Sequence, residues 1–146
     1  MIVVDAQIIA ALLLKSETTP LAKQLLIHDR AWIAPVIWRS EFRQILSYYI
    51  RKCILSIHQA NLLMQEAENL MQGGQYDVPS LEVFAITGQY DCTAYFAEYA
   101  TLAQELGIPY VTIDRSVLRK FPQLAVSVEE VMSSDVAHKR VFSETL

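Results

Sequence analysis

The stretch Ile2-Val3-Val4-Asp5, followed by Ala6 and the apolar run Ile8 to Leu14, decides how this chain is read. Three branched aliphatics in a row describe a short strand buried on both faces, as in the middle of a parallel sheet. Asp5 stands where that strand stops and a helix begins. Ligands of open α/β sheets bind at the carboxyl ends of the strands. A carboxylate there is costly to desolvate unless something cationic meets it. The pattern returns as Tyr110-Val111-Thr112-Ile113 followed by Asp114. Two buried-type strands, each ending in aspartate, make function largely a question about carboxylates.

Outward from Asp5, Ala6 to Leu14 is predicted as the first helix. A second helix, Pro20 to His28, takes Thr19 as N-cap and Pro20 at its first position. Ala31-Trp32-Ile33-Ala34 reads as a short strand. Pro35 then opens a long helix to about Arg51 with the apolar face Trp38, Phe42, Ile45, Leu46 and Tyr49. Ser56 caps another, with Leu62, Leu63, Leu70 and Met71 inward and Gly73-Gly74 at its end. Pro79-Ser80 starts a short helix stopped by Thr87-Gly88. Asp91 to Leu106 is the next, closed by Gly107, and Val126 or its neighbours give a last edge strand. Strands alternating with helices predict an α/β protein whose parallel sheet is covered on both faces. Residues 1–132 are expected to form one domain and 133–146 a polar tail.

Composition narrows the class. The chain has 146 residues, 53% of them hydrophobic and 19% charged, which suits one globular domain rather than a disordered chain. Its longest apolar run, Ile8 to Leu14, is far short of the roughly 20 residues that span a bilayer. The N-terminus has no basic region and carries Asp5 within its apolar stretch, which argues against a signal peptide. Cys53 and Cys92 have neither metal nor redox spacing, so a reduced, cytoplasmic protein is expected. A net charge of −4 weighs weakly against nucleic acid, because acids that hold metal ions lower net charge without making the binding face repulsive.

Four acids fall at strand ends or on inner faces. Glu41 lies inside the apolar arc of its helix, between Ile37 and Ile45, and an acid there needs a cleft or a partner. Asp91 stands at the start of its helix, and Asp5 and Asp114 at the ends of their strands. Each aspartate also has a plain structural reading as an N-cap or first-turn residue. Taken together, the four are residues that a parallel sheet could gather at one rim.

These residues also carry a family resemblance. Val3-Val4-Asp5-Ala6, Glu41 within Trp38-Arg39-Ser40-Glu41-Phe42-Arg43, Tyr90-Asp91-Cys92, and Leu106-Gly107-Ile108-Pro109-Tyr110-Val111-Thr112-Ile113-Asp114 resemble the PIN-domain signature. The match is best to the VapC-like toxin ribonucleases of toxin–antitoxin pairs and spans about Ile2 to Pro122. The resemblance implies a three-layer α/β/α fold, metal-dependent RNA cleavage, a homodimer and a cognate antitoxin. It places Asp5, Glu41, Asp91 and Asp114 on family acid positions and Thr112 on the usual threonine. The chain departs from the pattern by about one extra helical turn between Asp91 and Leu102. Glu98, seven residues after Asp91 and so on nearly the same side of a helix, is the alternative third acid; its plain reading is a solvated stripe continuing to Glu105.

Oxygen donors without clustered His or Cys select Mg²⁺ or Mn²⁺ over zinc. Asp5 and Asp114 are the natural ligands, with Asp91 and Glu41 completing the site directly or through water. Arg115, Arg119 and Lys120 are the expected phosphate contacts, or equally a solvated basic turn, and Thr112 is expected to contact the substrate with them. A receiver-like phosphotransfer fold would want a lysine on a late strand, which is missing, and no Gly-rich phosphate loop is present. A PIN-like module that has lost nuclease activity and acts through binding remains the alternative.

Overall fold

The computed structural model describes residues 1–133, so the expected tail lies outside the described residues apart from Ser133. Four parallel strands form the sheet: β1 (Ile2–Val4), β2 (Trp32–Pro35), β3 (Gln75–Tyr76) and β4 (Tyr110–Val111), in the order β3-β2-β1-β4. β1 is central, with Val3 registered between Ile33 and Tyr110. Val3, Val4 and Val111 are fully buried, as a run of branched residues between two covered faces requires. Val126 adds only an isolated parallel bridge to Val111. Because every strand runs the same way, all four carboxyl ends share one rim.

The helices are α1 (Ala6–Leu13), α2 (Thr19–His28), α3 (Trp38–Arg51), α4 (Ile57–Leu70), α5 (Ser80–Gln89), α6 (Ala94–Leu106), α7 (Arg115–Lys120) and α8 (Val128–Met132). α6 lies against β1, β2 and β4 and packs on α5, while α1 contacts α2, α3 and α4. This is the three-layer α/β/α, PIN-like arrangement expected from the alternation of elements.

Several boundaries differ from the sequence reading, each for a local reason. Pro35 ends β2 instead of opening α3. A proline has no N–H to give, which a last strand position tolerates, and the Val36 N–H makes the next ladder bond to the Tyr76 carbonyl at 3.1 Å. Thr19 lies inside α2 rather than capping it, and its hydroxyl donates to the Ala11 carbonyl at 2.6 Å, tying α2 to the end of α1. Ser56 does cap α4, in a capping box with Gln59. The buried face of α4 is Ala60, Met64 and Ala67, leaving Leu62 exposed. Gly88 lies within α5, and Leu81 and Phe84 face outward from it.

The two-residue β3 is too short to show a period. What admits it is Gly74, where a Cβ would collide with the Trp32 backbone carbonyl. Close approach of two backbones is the positional use of glycine beside a strand.

α6 begins later than expected. Tyr90 closes α5, and the Thr93 hydroxyl accepts the Phe96 N–H at 3.2 Å as the α6 N-cap. Asp91 and Cys92 are therefore linker, not helix.

Candidate active site

Asp5 follows β1 and caps α1. Its Oδ1 accepts the Ile8 N–H at 3.1 Å and its Oδ2 accepts the Tyr110 hydroxyl at 3.1 Å. Only 7% of the residue is exposed. Burial pushes its pKa up; hydrogen bonds from Thr112, Ile8 and Tyr110 oppose this, and the nearby charge of Asp114 adds to the rise. The structural and the functional readings of Asp5 are thus compatible, since one oxygen caps a helix while the carboxylate borders a cavity.

Asp114 follows β4 and caps α7. It accepts the Ser116 hydroxyl at 2.6 Å, the Ser116 N–H at 2.9 Å and the Val117 N–H at 3.4 Å, and Gln7 donates to its other oxygen at 3.3 Å. The Ser116 hydrogen bond leads in holding its pKa below the usual carboxylate range. Thr112 lies between the two acids: its hydroxyl bonds to Asp5 and its oxygen accepts the Asp114 N–H at 3.1 Å. Thr112, expected as a substrate contact, is fully buried beside these acids.

Glu41, in the first turn of α3, accepts the Tyr99 hydroxyl at 2.6 Å. Burial raises its pKa; the Tyr99 bond opposes the rise, while the charges of Asp5 and Glu98 add to it. Asp5, Glu41 and Asp114 all line one cavity of about 650 Å³, with Gln7, Ser40, Gln44, Tyr95, Phe96, Tyr99 and Tyr110 among its other walls. Three of the four expected acids are brought together.

Asp91 is not among them. It is exposed, 3.9 Å from the Lys120 ammonium, and belongs to the linker before α6. Because Asp91 precedes α6, it shares no helix face with Glu98. Glu98 is half-buried, with Oε2 hidden from solvent and without a hydrogen-bond partner among the described residues. Its pKa is raised by burial first and by Asp77 second. It is felt by Glu41 but does not line the cavity. Arg115, Arg119 and Lys120 are exposed on α7 beside Asp114.

Sequence reasoning missed the tyrosines. In sequence Tyr99 is one more residue of a helix and Tyr110 of a strand, yet their hydroxyls meet Glu41 and Asp5. The usable signal was that a buried tyrosine hydroxyl needs a partner.

The donors at the cavity are all oxygen, which suits a hard divalent cation. As the side chains stand, no three His, Cys, Asp or Glu among the described residues are arranged to hold a metal ion. Both Asp5 oxygens already accept hydrogen bonds, and so do both of Asp114.

The parallel α/β/α sheet is a PIN-like fold, and the resemblance to VapC-like proteins holds in sequence and in fold. The chain is similar to Ribonuclease VapC3 of Pyrobaculum aerophilum, with 26% identity over 126 residues, covering 84% of this chain and 96% of that protein. Its fold matches the crystal structure of PAE2754 from Pyrobaculum aerophilum with a TM-score of 0.70 at 22% identity, over 91% of this chain and 94% of that one. No family model matches the chain. No described helix is long and apolar enough to cross a membrane.

Proposed function

We propose that the protein is a Mg²⁺- or Mn²⁺-dependent endoribonuclease, the toxin of a toxin–antitoxin pair, acting in the cytoplasm. The observation that carries this reading is the convergence of Asp5, Glu41 and Asp114 on one cavity, joined by the similarity to Ribonuclease VapC3. Asp5 and Asp114 would hold the cation, with Glu41 completing the site directly or through water. Held there, a divalent ion would supply a water of lowered pKa and positive charge to offset the charge on the phosphate. The chain's own part is to present three carboxylates at a partly enclosed rim. Arg115, Arg119 and Lys120 are exposed on α7, the helix that Asp114 caps, where they can meet an RNA backbone. Asp91 is left out of this site because it faces solvent across a linker.

The second reading, a PIN-like binding module without nuclease activity, draws on a specific feature. The α6 wall of the cavity carries Tyr95, Phe96 and Tyr99 and no carboxylate. One experiment separates the two. Purified protein is incubated with single-stranded RNA and Mn²⁺, then with a chelator, then with Mn²⁺ restored. Cleavage that stops and returns is expected, and the Asp91→Asn variant should stay within about twofold of wild type, as exposed surface changes usually do. Failure to cleave with either Mg²⁺ or Mn²⁺ leaves the binding module. A hundredfold loss in Asp91→Asn would return Asp91 to the site.

The proposal includes a homodimer that also binds a cognate antitoxin. Leu81 and Phe84, three residues apart on α5, are both more than 60% exposed, and contiguous exposed apolar surface marks interfaces. Sedimentation at micromolar concentration is expected to give a dimer, and a monomer there removes that part of the proposal.

A further inference from the structure

Two phenols stand against the acids of the cavity, and the reaction proposed above leaves them without a role. Tyr99, from α6, donates to Glu41 Oε1 at 2.6 Å, and Tyr110, from β4, donates to Asp5 Oδ2 at 3.1 Å. Their rings are stacked, with centroids 5.6 Å apart and planes 14° from parallel. Both residues are buried, at 2% and 3% exposure. Burial, followed by the charge of the acid each one meets, pushes both hydroxyls far above the usual phenol range, so they remain protonated donors.

We propose that the stacked Tyr99–Tyr110 pair positions the Glu41 and Asp5 carboxylates, so that α6 serves the site through a hydroxyl donor instead of an acid. The physical need is plain. Glu41 has a flexible side chain and is repelled by Asp5 and Glu98. A charge-assisted O–H···O⁻ bond at 2.6 Å is short and directional, and it fixes one oxygen against that repulsion. Glu41 Oε2 has no hydrogen bond among the described residues, which leaves it for a ligand of the cavity. The stack makes the two contacts one unit. Tyr110 also meets the Phe96 ring at 5.7 Å, and Phe96 stacks on Phe121 at 4.1 Å. A shift of the Tyr99 ring therefore meets a continuous aromatic row reaching the end of α7. The kinetic half of this inference rests on the ribonuclease reading; the contact itself does not.

Tyr99→Phe keeps the ring and removes the hydroxyl, and Glu41→Ala removes the group it acts on. The test is a double-mutant cycle of these two changes, read by RNA cleavage with Mn²⁺ and by thermal unfolding without metal or RNA. Tyr99→Phe is expected to lower kcat about 10- to 100-fold, the scale of a misplaced catalytic group, with KM within about twofold. In the Glu41→Ala background it should lower kcat no further, since residues acting through one another are not additive. Tyr99→Phe should likewise lower Tm in the wild type and not in Glu41→Ala. An equal loss of kcat in both backgrounds marks Tyr99 as structural and overturns the proposal. If the wild type cleaves no RNA, the ribonuclease reading fails, and the unfolding cycle decides the pair alone: coupled Tm shifts uphold it and additive shifts overturn it. Tyr110→Phe paired with Asp5→Ala serves as the parallel cycle should Tyr99→Phe not fold.

Discussion

Asp5→Asn is expected to reduce metal-dependent RNA cleavage by at least about a hundredfold while leaving the fold intact, the scale on which a charge-stabilising group at the reacting centre acts. Asn keeps the volume and an oxygen that can still accept the Ile8 N–H, and Asn and Asp rank together at N-caps. Only the charge is lost. Without metal, the variant should gain stability at neutral pH, and the sign follows from burial. The folded protein holds the Asp5 proton to higher pH than the unfolded chain does. Relative stability is thus full below the ordinary carboxylate pKa and declines as pH rises through the higher folded value. Above that value the wild type bears a buried charge that Asn lacks. A Tm increase of about 2–4 °C corresponds to roughly 1 kcal/mol in a domain of this size. It should fade as pH falls below the unfolded pKa. The rise in Tm that Mn²⁺ gives the wild type, which follows ligand occupancy, should shrink in the variant. Cleavage and melting curves at neutral and acidic pH check all three, and full cleavage by Asp5→Asn removes Asp5 from the chemistry.

Trp38→Ala is expected to cost about 3–5 kcal/mol, the usual range for deleting a buried indole. Trp38 is fully buried in the first turn of α3, with the Phe42 ring 6.4 Å away. Total stability of a domain is on the order of 5–15 kcal/mol, so the loss is a large share of it. Trp38→Phe should cost much less than the lost volume suggests. The indole N–H has no hydrogen-bond partner among the described residues, and a buried donor left unpaired costs about 1–3 kcal/mol that phenylalanine avoids. Urea unfolding with unchanged m-values measures both variants. A cost below about 1 kcal/mol for Trp38→Ala contradicts its place in the core. Glu41 lies in the same first turns of α3, so the anchoring of Trp38 and Phe42 also sets where that carboxylate stands.

Much of the fold is legible in short local patterns. Ile2-Val3-Val4 and Tyr110-Val111 announce buried parallel strands, and in the sheet they are direct neighbours. Gly107 closes α6 in the left-handed conformation, at φ 63°. The limits are equally local. Asp91 and Thr93 are both good caps two residues apart, and the sequence does not rank them. Packing of α5 against α6 settles the competition, because the chain must leave α5 at Tyr90 before α6 can start.

The residues by themselves determined which strands are followed by carboxylates, that Glu41 must face a cleft or a partner, and that the candidate site offers oxygen donors. A strand's branched run and a helix's period are properties of neighbours in sequence; they offered four acids, Asp5, Glu41, Asp91 and Asp114, for one rim, and the cavity is lined by three of them. Only the tertiary structure decided what those acids meet. Tyr99 lies 58 residues from Glu41, and Tyr110 lies 105 residues from Asp5. No local pattern encodes such pairings, because they arise when α6 lies across β1 and β2 and β4 pairs with β1. The same packing put Asp91 outside and left the carboxylates to be held by phenols, since a buried charge takes the donor that the assembled fold brings within reach.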